Sequence, residues 1–248
     1  METSVYNHFT EKIDEFIKNN KDTNKKLIVG LSGKKRSGKT YFGQYLEQNY
    51  GFTRIAFADR LKELLKTHFD LELVKPEDSD CSSKLKKIKE LSKAYNNIEI
   101  RRKLLDTLTE LFDYKIVYNF INTDRAKEFI SMIKNIKNTN DLRQIYQYFG
   151  SDICRYIDND IWIKEYDKKV KNCFNNLIVT DDIRFYNEYE CIKKYKYLFI
   201  YVENKLLNNN NNITDTHISE KVEQLKPFAD FIINNNYCKK ENKLALKY

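Results

Sequence analysis

Lys26-Leu-Ile-Val-Gly-Leu-Ser-Gly-Lys-Lys-Arg-Ser-Gly-Lys-Thr40 is the stretch that decides the fold. Its apolar run, Leu27 to Leu31, predicts a buried strand over about 26–32. The loop Gly33-Lys-Lys-Arg-Ser-Gly38-Lys39-Thr40 fits G-x-x-x-x-G-K-[ST], and a helix-competent stretch, Tyr41 to Asn49, follows. Strand, loop and helix in that order are the setting a phosphate-binding loop requires. Glycines let the backbone N–H groups turn inward, and the helix N-terminus adds positive potential. The reading assigns Gly33, Lys34, Arg36, Ser37, Gly38, Lys39 and Thr40 to a nucleotide triphosphate. Lys39 reaches the β- and γ-phosphates and Thr40 ligates Mg²⁺. A chance match is the rival reading, and 6 glycines in 248 residues make it rare.

Working outward, Tyr6, Phe9, Ile13, Phe16 and Ile17 fall on one face of an amphipathic helix over 4–20. Thr53–Phe57 predicts a second strand, and Asp59 opens a helix to Phe69. Residues 70–80 read as loop. No glycine lies between Gly51 and Gly150, so Ser82 to about Ile136 predicts several helices. One helix is expected over Asp141–Tyr156 and another over Asp160–Phe174. Strands are expected at Asn176–Thr180, Tyr197–Val202 and Ala229–Ile233, with helices near 185–194 and 219–226 between them. Asn204–Thr214, with five consecutive asparagines, reads as a surface loop. Strands alternating with helices imply an α/β fold: a five-stranded parallel sheet flanked by helices, with ligands at the strands' carboxyl ends.

Bulk composition excludes several classes. The five cysteines (81, 154, 173, 191, 238) form no C-x-x-C pair and no metal spacing, which fits reduced thiols in a cytoplasm, the host's if the source is viral. Met1-Glu-Thr-Ser is polar, and no apolar run approaches a membrane-spanning length. Net charge is +8, from 44 basic and 36 acidic residues. Such a surplus can serve nucleic acid, but heavy Lys and Asn usage also follows from an AT-rich genome. Phosphorylated small substrates use the same charge. Cys191-Ile-Lys-Lys-Tyr-Lys-Tyr197 is the one basic-aromatic stretch that could stack bases, and it reads better as the approach to a strand.

Two expected strands end in carboxylates, Phe57-Ala-Asp59 and Val179-Thr-Asp181-Asp182. Either can organise a metal or position an attacking oxygen beside the loop, although Asp59 can equally be a helix N-cap. Arg143, Arg155 and Arg184 can clamp a transferring phosphoryl group or serve as solvated surface charges.

Taken together, these segments resemble the deoxynucleoside monophosphate kinases of large bacteriophages and related viruses. The resemblance covers most of 26–235. It rests on Gly33–Thr40, Phe57-Ala-Asp-Arg-Leu-Lys62, and Arg143-Gln-Ile-Tyr-Gln147-Tyr-Phe-Gly150-Ser-Asp152-Ile-Cys-Arg155. It rests also on Asp182-Ile-Arg184-Phe185-Tyr-Asn187-Glu188, His217-Ile-Ser219-Glu220 and a last strand ending in Asn234. The resemblance implies a P-loop kinase fold and ATP-dependent phosphorylation of a deoxynucleoside 5′-monophosphate. It implies catalytic roles for Lys39, Asp59, Arg143 and Arg184. The acceptor would be bound by Lys62, Arg143, Gln147, Asp152, Arg155 and Arg184; for the metal the residues themselves offer Thr40, with Asp182 or Asp59 beside it. It also implies a homodimer. The expected organisation is a helical extension over 1–24 and a kinase domain over 25–248, with a helical insert at about 70–140. Three features depart from the family pattern: Thr40 stands where Asp is frequent, the insert is long, and Val202-Glu-Asn-Lys205 lacks an arginine. His217 reads as a structural residue rather than a general base, because a phosphate acceptor is already anionic. A phosphomevalonate-type kinase and a nucleic-acid-linked ATPase are the competing readings.

Overall fold

The computed structural model describes residues 2–21, 25–74, 76, 78–204 and 221–235. Lys205, the asparagines 208–212, His217, Ser219 and Glu220 lie outside the described residues. The chain divides into two compact units: residues 1–57 with 166–248, and residues 58–165.

The first unit is an all-parallel sheet with flanking helices. Its strands are β1 (Leu27–Ser32), β2 (Thr53–Arg54), β3 (Leu177–Thr180), β4 (Lys196–Glu203) and β5 (Phe231–Asn234), in the order β2-β3-β1-β4-β5. β1 is central and buried at every position, as a continuous apolar run demands of a strand covered on both faces. It pairs with β3 through Leu27↔Leu177 to Gly30↔Thr180, and with β4 through Leu27↔Lys196 to Ser32↔Tyr201. The carboxyl end of β1 thus opens between two neighbours. In open parallel sheets that crevice is where ligands bind.

Helix α1 (Glu2–Asn19) covers part of this sheet. Phe9 and Ile13 are fully buried with Val29, Leu31, Phe42, Leu46, Val179, Ile200, Val202 and Ile233. Burying such side chains contributes roughly 1.5–3 kcal/mol each, so α1 is part of the core and not an appendage. Helix α2 (Lys39–Tyr50) follows the loop after β1 and ends at Gly51 in the left-handed region. Helix α10 (Tyr186–Ile192) lies between β3 and β4, and a 3₁₀ helix, Val222–Phe228, precedes β5.

The second unit is helical: α3 (Asp59–Phe69), α4 (Cys81–Ala94), α5 (Asn97–Thr109), α6 (Tyr114–Phe120), α7 (Asp124–Lys134) and α8 (Thr139–Gln147). Short polar side chains start several of them. Asn96 accepts from Glu99 N–H, Asp113 from Lys115 N–H and Thr123 from Ala126 N–H. Asn138 and Asp141 form a reciprocal capping box at α8. Leu61, Leu65, Phe69, Ile100, Leu104, Phe129, Ile145, Phe149 and Trp162 belong to its core. The unit boundary at 165/166 falls inside α9 (Ile161–Asn172).

One expected helix is two. Residues 141–156 read as a single α-helix, but α8 stops at Gln147 and Tyr148–Arg155 continues as a π-helix. Its wider turn is supported from neighbouring helices: Trp162 Nε1 donates to the Gly150 carbonyl at 2.9 Å and Arg125 to the Asp152 carbonyl at 3.3 Å. The expected second strand is also shorter than its apolar run, Thr53–Arg54 in place of Thr53–Phe57. Phe57 serves elsewhere, stacked on Tyr166 with ring centroids 4.0 Å apart.

Candidate active site

The loop between β1 and α2 takes its shape from backbone torsions that side chains disfavour. Gly33 has φ +142° and Gly38 φ +103°, and Arg36, although not glycine, sits at φ 65°. The left-handed region costs an ordinary residue about 1–2 kcal/mol. Its use inside a turn is how backbone N–H groups are gathered into an anion-binding concavity. Space imposes a second demand. A Cβ on Gly33 would lie 2.1 Å from the Val202 carbonyl oxygen, and one on Gly38 2.2 Å from Asn235 Nδ2. Both motif glycines therefore press against the ends of β4 and β5.

Helix α2 begins at Lys39, with Gly38 as a cap that offers no side chain, and its first turn carries no acidic residue. The positive end of its dipole is left for an anion. Lys39 folds back over the loop, and its Nζ donates to the carbonyls of Gly33 at 2.5 Å and Lys34 at 2.8 Å. Ser37 is fully buried, and its Oγ has no hydrogen-bond partner among the described residues. Such a hydroxyl costs free energy unless something accepts or donates to it. A phosphate oxygen in this loop fits that need. Lys34, Arg36 and Thr40 are exposed on the same loop, and Lys34 pairs with Glu223 at 2.7 Å.

The two carboxylates after β3 have different partners. Asp181 is buried (4 % exposed), and its Oδ1 takes the Arg54 guanidinium at 2.7 and 2.8 Å. Removing Arg54 would strand a buried charge, so this pair ties β2 to the end of β3. Asp182 accepts the Phe57 N–H at 3.0 Å. Next to it, the buried carboxylate of Glu188 accepts the N–H groups of Arg184 (2.7 Å) and Phe185 (3.1 Å). That grip fixes the backbone from which Arg184 projects. Glu188, three residues after Phe185, thereby caps α10. The hydroxyls of Tyr166 and Thr180 share a buried hydrogen bond of 2.7 Å at the end of β3, and burial raises the Tyr166 phenol well above its ordinary range.

The second unit carries the other expected residues. Asp59 is the first residue of α3, and the cap position belongs to Ala58, so Asp59 is not the N-cap that spacing allowed. Lys62 lies one turn on. Arg143 and Gln147 are four residues apart on α8, on one face, and both are partly buried. Asp152 and Arg155 lie on the π-helix. An i→i+5 repeat turns each residue less than an α-helix does, so the segment drifts out of phase with an α-helical repeat. The faces presented by Asp152 and Arg155 relative to Arg143 are thus not those that α-helical spacing would give. Arg155 donates to the Asn159 carbonyl at 3.0 Å.

Gly33–Thr40, Asp182 and Arg184 belong to the sheet unit. Asp59, Lys62, Arg143, Gln147, Asp152 and Arg155 belong to the helical unit. Sequence reasoning missed the Arg54–Asp181 pair, the Glu188 cap and Asn235. The first could have been sought as an arginine on the strand beside a carboxylate-ended one; Asn235 sits in a run of asparagines and gives no signal. Among the described residues no group of three or more His, Cys, Asp or Glu could hold a metal ion, and no helix is long and apolar enough to cross a membrane.

The sequence model of the deoxynucleotide monophosphate kinase family matches residues 26–243. The chain belongs to that family, and is a kinase that phosphorylates deoxynucleoside monophosphates. No curated protein matches the chain.

Proposed function

We propose that the chain transfers the γ-phosphate of ATP to a deoxynucleoside 5′-monophosphate with the help of Mg²⁺, using the loop Gly33–Thr40 for the donor. The observation that carries this is the loop itself: left-handed torsions at both glycines, Lys39 folded across it, and a buried Ser37 hydroxyl with no hydrogen-bond partner among the described residues. An acceptor phosphate oxygen attacks the γ-phosphorus, the bond to the β–γ bridging oxygen breaks, and ADP leaves. The acceptor is already anionic and needs little base help. The barrier is mainly that of bringing two anions together and stabilising the charge that moves.

Lys39 neutralises the β/γ oxygens, and the N–H groups of residues 34–40 cradle the β-phosphate. Thr40 and Asp182 are the oxygen ligands we assign to Mg²⁺, which typically takes one or two protein ligands beside phosphates and waters. Asp182 is preferred to Asp181 because Asp181 is committed to Arg54. Bound there, the metal would supply charge neutralisation on the donor phosphates. Lys62, Arg143, Gln147, Asp152, Arg155 and Arg184 recognise the acceptor. Arginines grip its phosphate with a planar fork, and Asp59 orients it. A reducing cytoplasm and a homodimeric state complete the proposal.

A coupled ADP-release assay across deoxynucleoside and ribonucleoside monophosphates and phosphomevalonate, with and without Mg²⁺, tests it. Turnover that depends on a deoxynucleoside monophosphate and on the metal is the expected result. Release with phosphomevalonate alone, or hydrolysis without any acceptor, would refute it.

A further inference from the structure

Asn235 stands immediately after β5, and only 8 % of it is exposed. Its own N–H donates to the Glu203 carbonyl at 2.7 Å, which continues the β4–β5 pairing by one residue. Its side chain faces the phosphate loop. Nδ2 donates to the Ser37 carbonyl at 2.8 Å, in a buried hydrogen bond across 198 residues of chain. The same nitrogen occupies the space a Cβ on Gly38 would need.

The consequence follows from peptide geometry. A trans peptide is planar, with its C=O and N–H directed oppositely. The Ser37 carbonyl and the Gly38 N–H belong to one peptide. Holding that carbonyl toward β5 turns the Gly38 N–H the other way, into the loop. Gly38 has no side chain, and φ +103° lies where its backbone has most freedom. Nothing in the residue itself would fix this peptide, so the orientation has to be imposed from outside. The carbonyl of Val202, packed against Gly33, leaves no room for a side chain at the other end of the loop.

We propose that Asn235 is a positioning residue of the phosphate loop, whose side-chain amide holds the Ser37 carbonyl and so aims the Gly38 N–H at the donor nucleotide's phosphates. The proposal deepens the reading of Gly33–Thr40 as the donor site and rests on it. Asn235 does not touch the acceptor and takes no part in the chemistry. Its effect falls on nucleotide binding, ahead of any effect on the acceptor.

The test uses ADP titrations of the full chain, followed by calorimetry and by the amide resonance of Gly38, for wild type, Asn235→Ala and Asn235→Asp. Aspartate keeps the shape and loses the donor. Loss of one buried hydrogen bond and one aimed N–H should weaken ADP binding about tenfold in both variants. The KM for the acceptor should change less than about twofold, the same small change in either variant. In the wild-type protein, which needs no substitution to be informative, ADP should move the Gly38 amide resonance strongly; in the variants this shift should shrink. Unchanged ADP affinity in folded variants, or an unmoved Gly38 amide in a wild type that binds ADP, would overturn the role of Asn235. So would a loss of nucleotide affinity matched by a comparable rise in acceptor KM and a fall in melting temperature, the mark of a merely structural tie. A wild type that binds no ADP would instead overturn the donor-site reading, and the proposal with it.

Discussion

The loop after β1 and the α8–π segment both carry expected site residues, but they are built in opposite ways. In the loop, backbone does the positioning: three residues have positive φ, two glycines press against neighbouring chain, and Lys39 is folded over its own loop's carbonyls. In Thr139–Arg155 the backbone is helical throughout, and the site is written in side chains that the helix presents. A backbone site tolerates few residue types at fixed spacing, so it leaves a sharp motif. A side-chain site on a helix leaves only a periodicity, and the periodicity holds only while the helix keeps its repeat.

That difference ranks the consequences of substitution. The largest should come from Lys39→Ala. It removes the charge proposed to neutralise the migrating phosphoryl group, worth several kcal/mol of transition-state stabilisation, so turnover should fall about a thousandfold or more. Its melting temperature should stay near wild type, since the two hydrogen bonds lost go to partly exposed loop carbonyls. A folded variant with near-wild-type turnover would break the assignment of the loop.

Next come the arginines. Arg143→Ala and Arg155→Ala in the helical unit, and Arg184→Ala after β3, should each lower kcat/KM for the acceptor about a hundredfold. The KM for ATP should move only slightly. The comparison predicts a clean split: loop variants damage donor handling and helical variants damage acceptor handling. Equal losses for both substrates would return these arginines to the donor side or to folding, and no loss at all would make them surface charges. Steady-state kinetics with each substrate varied in turn decides this.

Two glycines sharpen the comparison at the level of stability. Gly38→Ala places a methyl at φ +103°, within 2.2 Å of Asn235 Nδ2. The strain should cost about 2 kcal/mol or more in urea unfolding. At Gly150 a Cβ would stand 3.1 Å from Leu61 Cδ2, the end of a side chain that can shift, and no positive φ is involved. A helix gains up to about 1 kcal/mol when Ala replaces Gly, which offsets that contact. Gly150→Ala should therefore stay within about 1 kcal/mol of wild type. Equal costs at the two sites would mean that the loop is not specially constrained.

The same contrast explains what could be read in advance. The α/β fold, the five-stranded parallel sheet and the loop were legible because they rest on continuous apolar strands and on a fixed glycine spacing. Residues 82–136 were legible as helices because the region lacks glycine and repeats Leu and Ile at helical intervals. The π-helix was not: an i→i+5 repeat is imposed by tertiary partners, here the Trp162 and Arg125 donors to carbonyls of the segment, and leaves no local signature. Asp181 reads from the sequence as a strand-end carboxylate beside Asp182, but its commitment to Arg54 depends on β2 lying next to β3, which spacing does not reveal. The role of Glu188 as a cap and the reach of Asn235 to Ser37 are long-range or backbone-directed contacts of the same kind.

The smallest effect expected is electrostatic and belongs to the helical unit alone. Glu110, just after α5, receives Arg60 and His68 from α3, and Arg60 also meets Glu63 at 3.0 Å and Glu165 at 3.7 Å. Burial pushes the Glu110 carboxyl up. The hydrogen bonds and charges of His68 and Arg60 outweigh it and hold the group below its ordinary value of 4.5. A carboxyl depressed in the folded state contributes stability above its unfolded pKa and loses it as pH falls through the folded one. Glu110→Gln should therefore be less stable than wild type near neutrality, and the two should converge below about pH 4.5. The side chain of Glu110 is 39 % exposed, so solvent screening keeps the difference under about 1 kcal/mol. Thermal melts of both proteins between pH 3 and 7 would show the convergence. A gap that persists or widens in acid would mean that Glu110 acts through packing. The helical unit would then share the loop's dependence on close contact, and the contrast between the two regions would weaken.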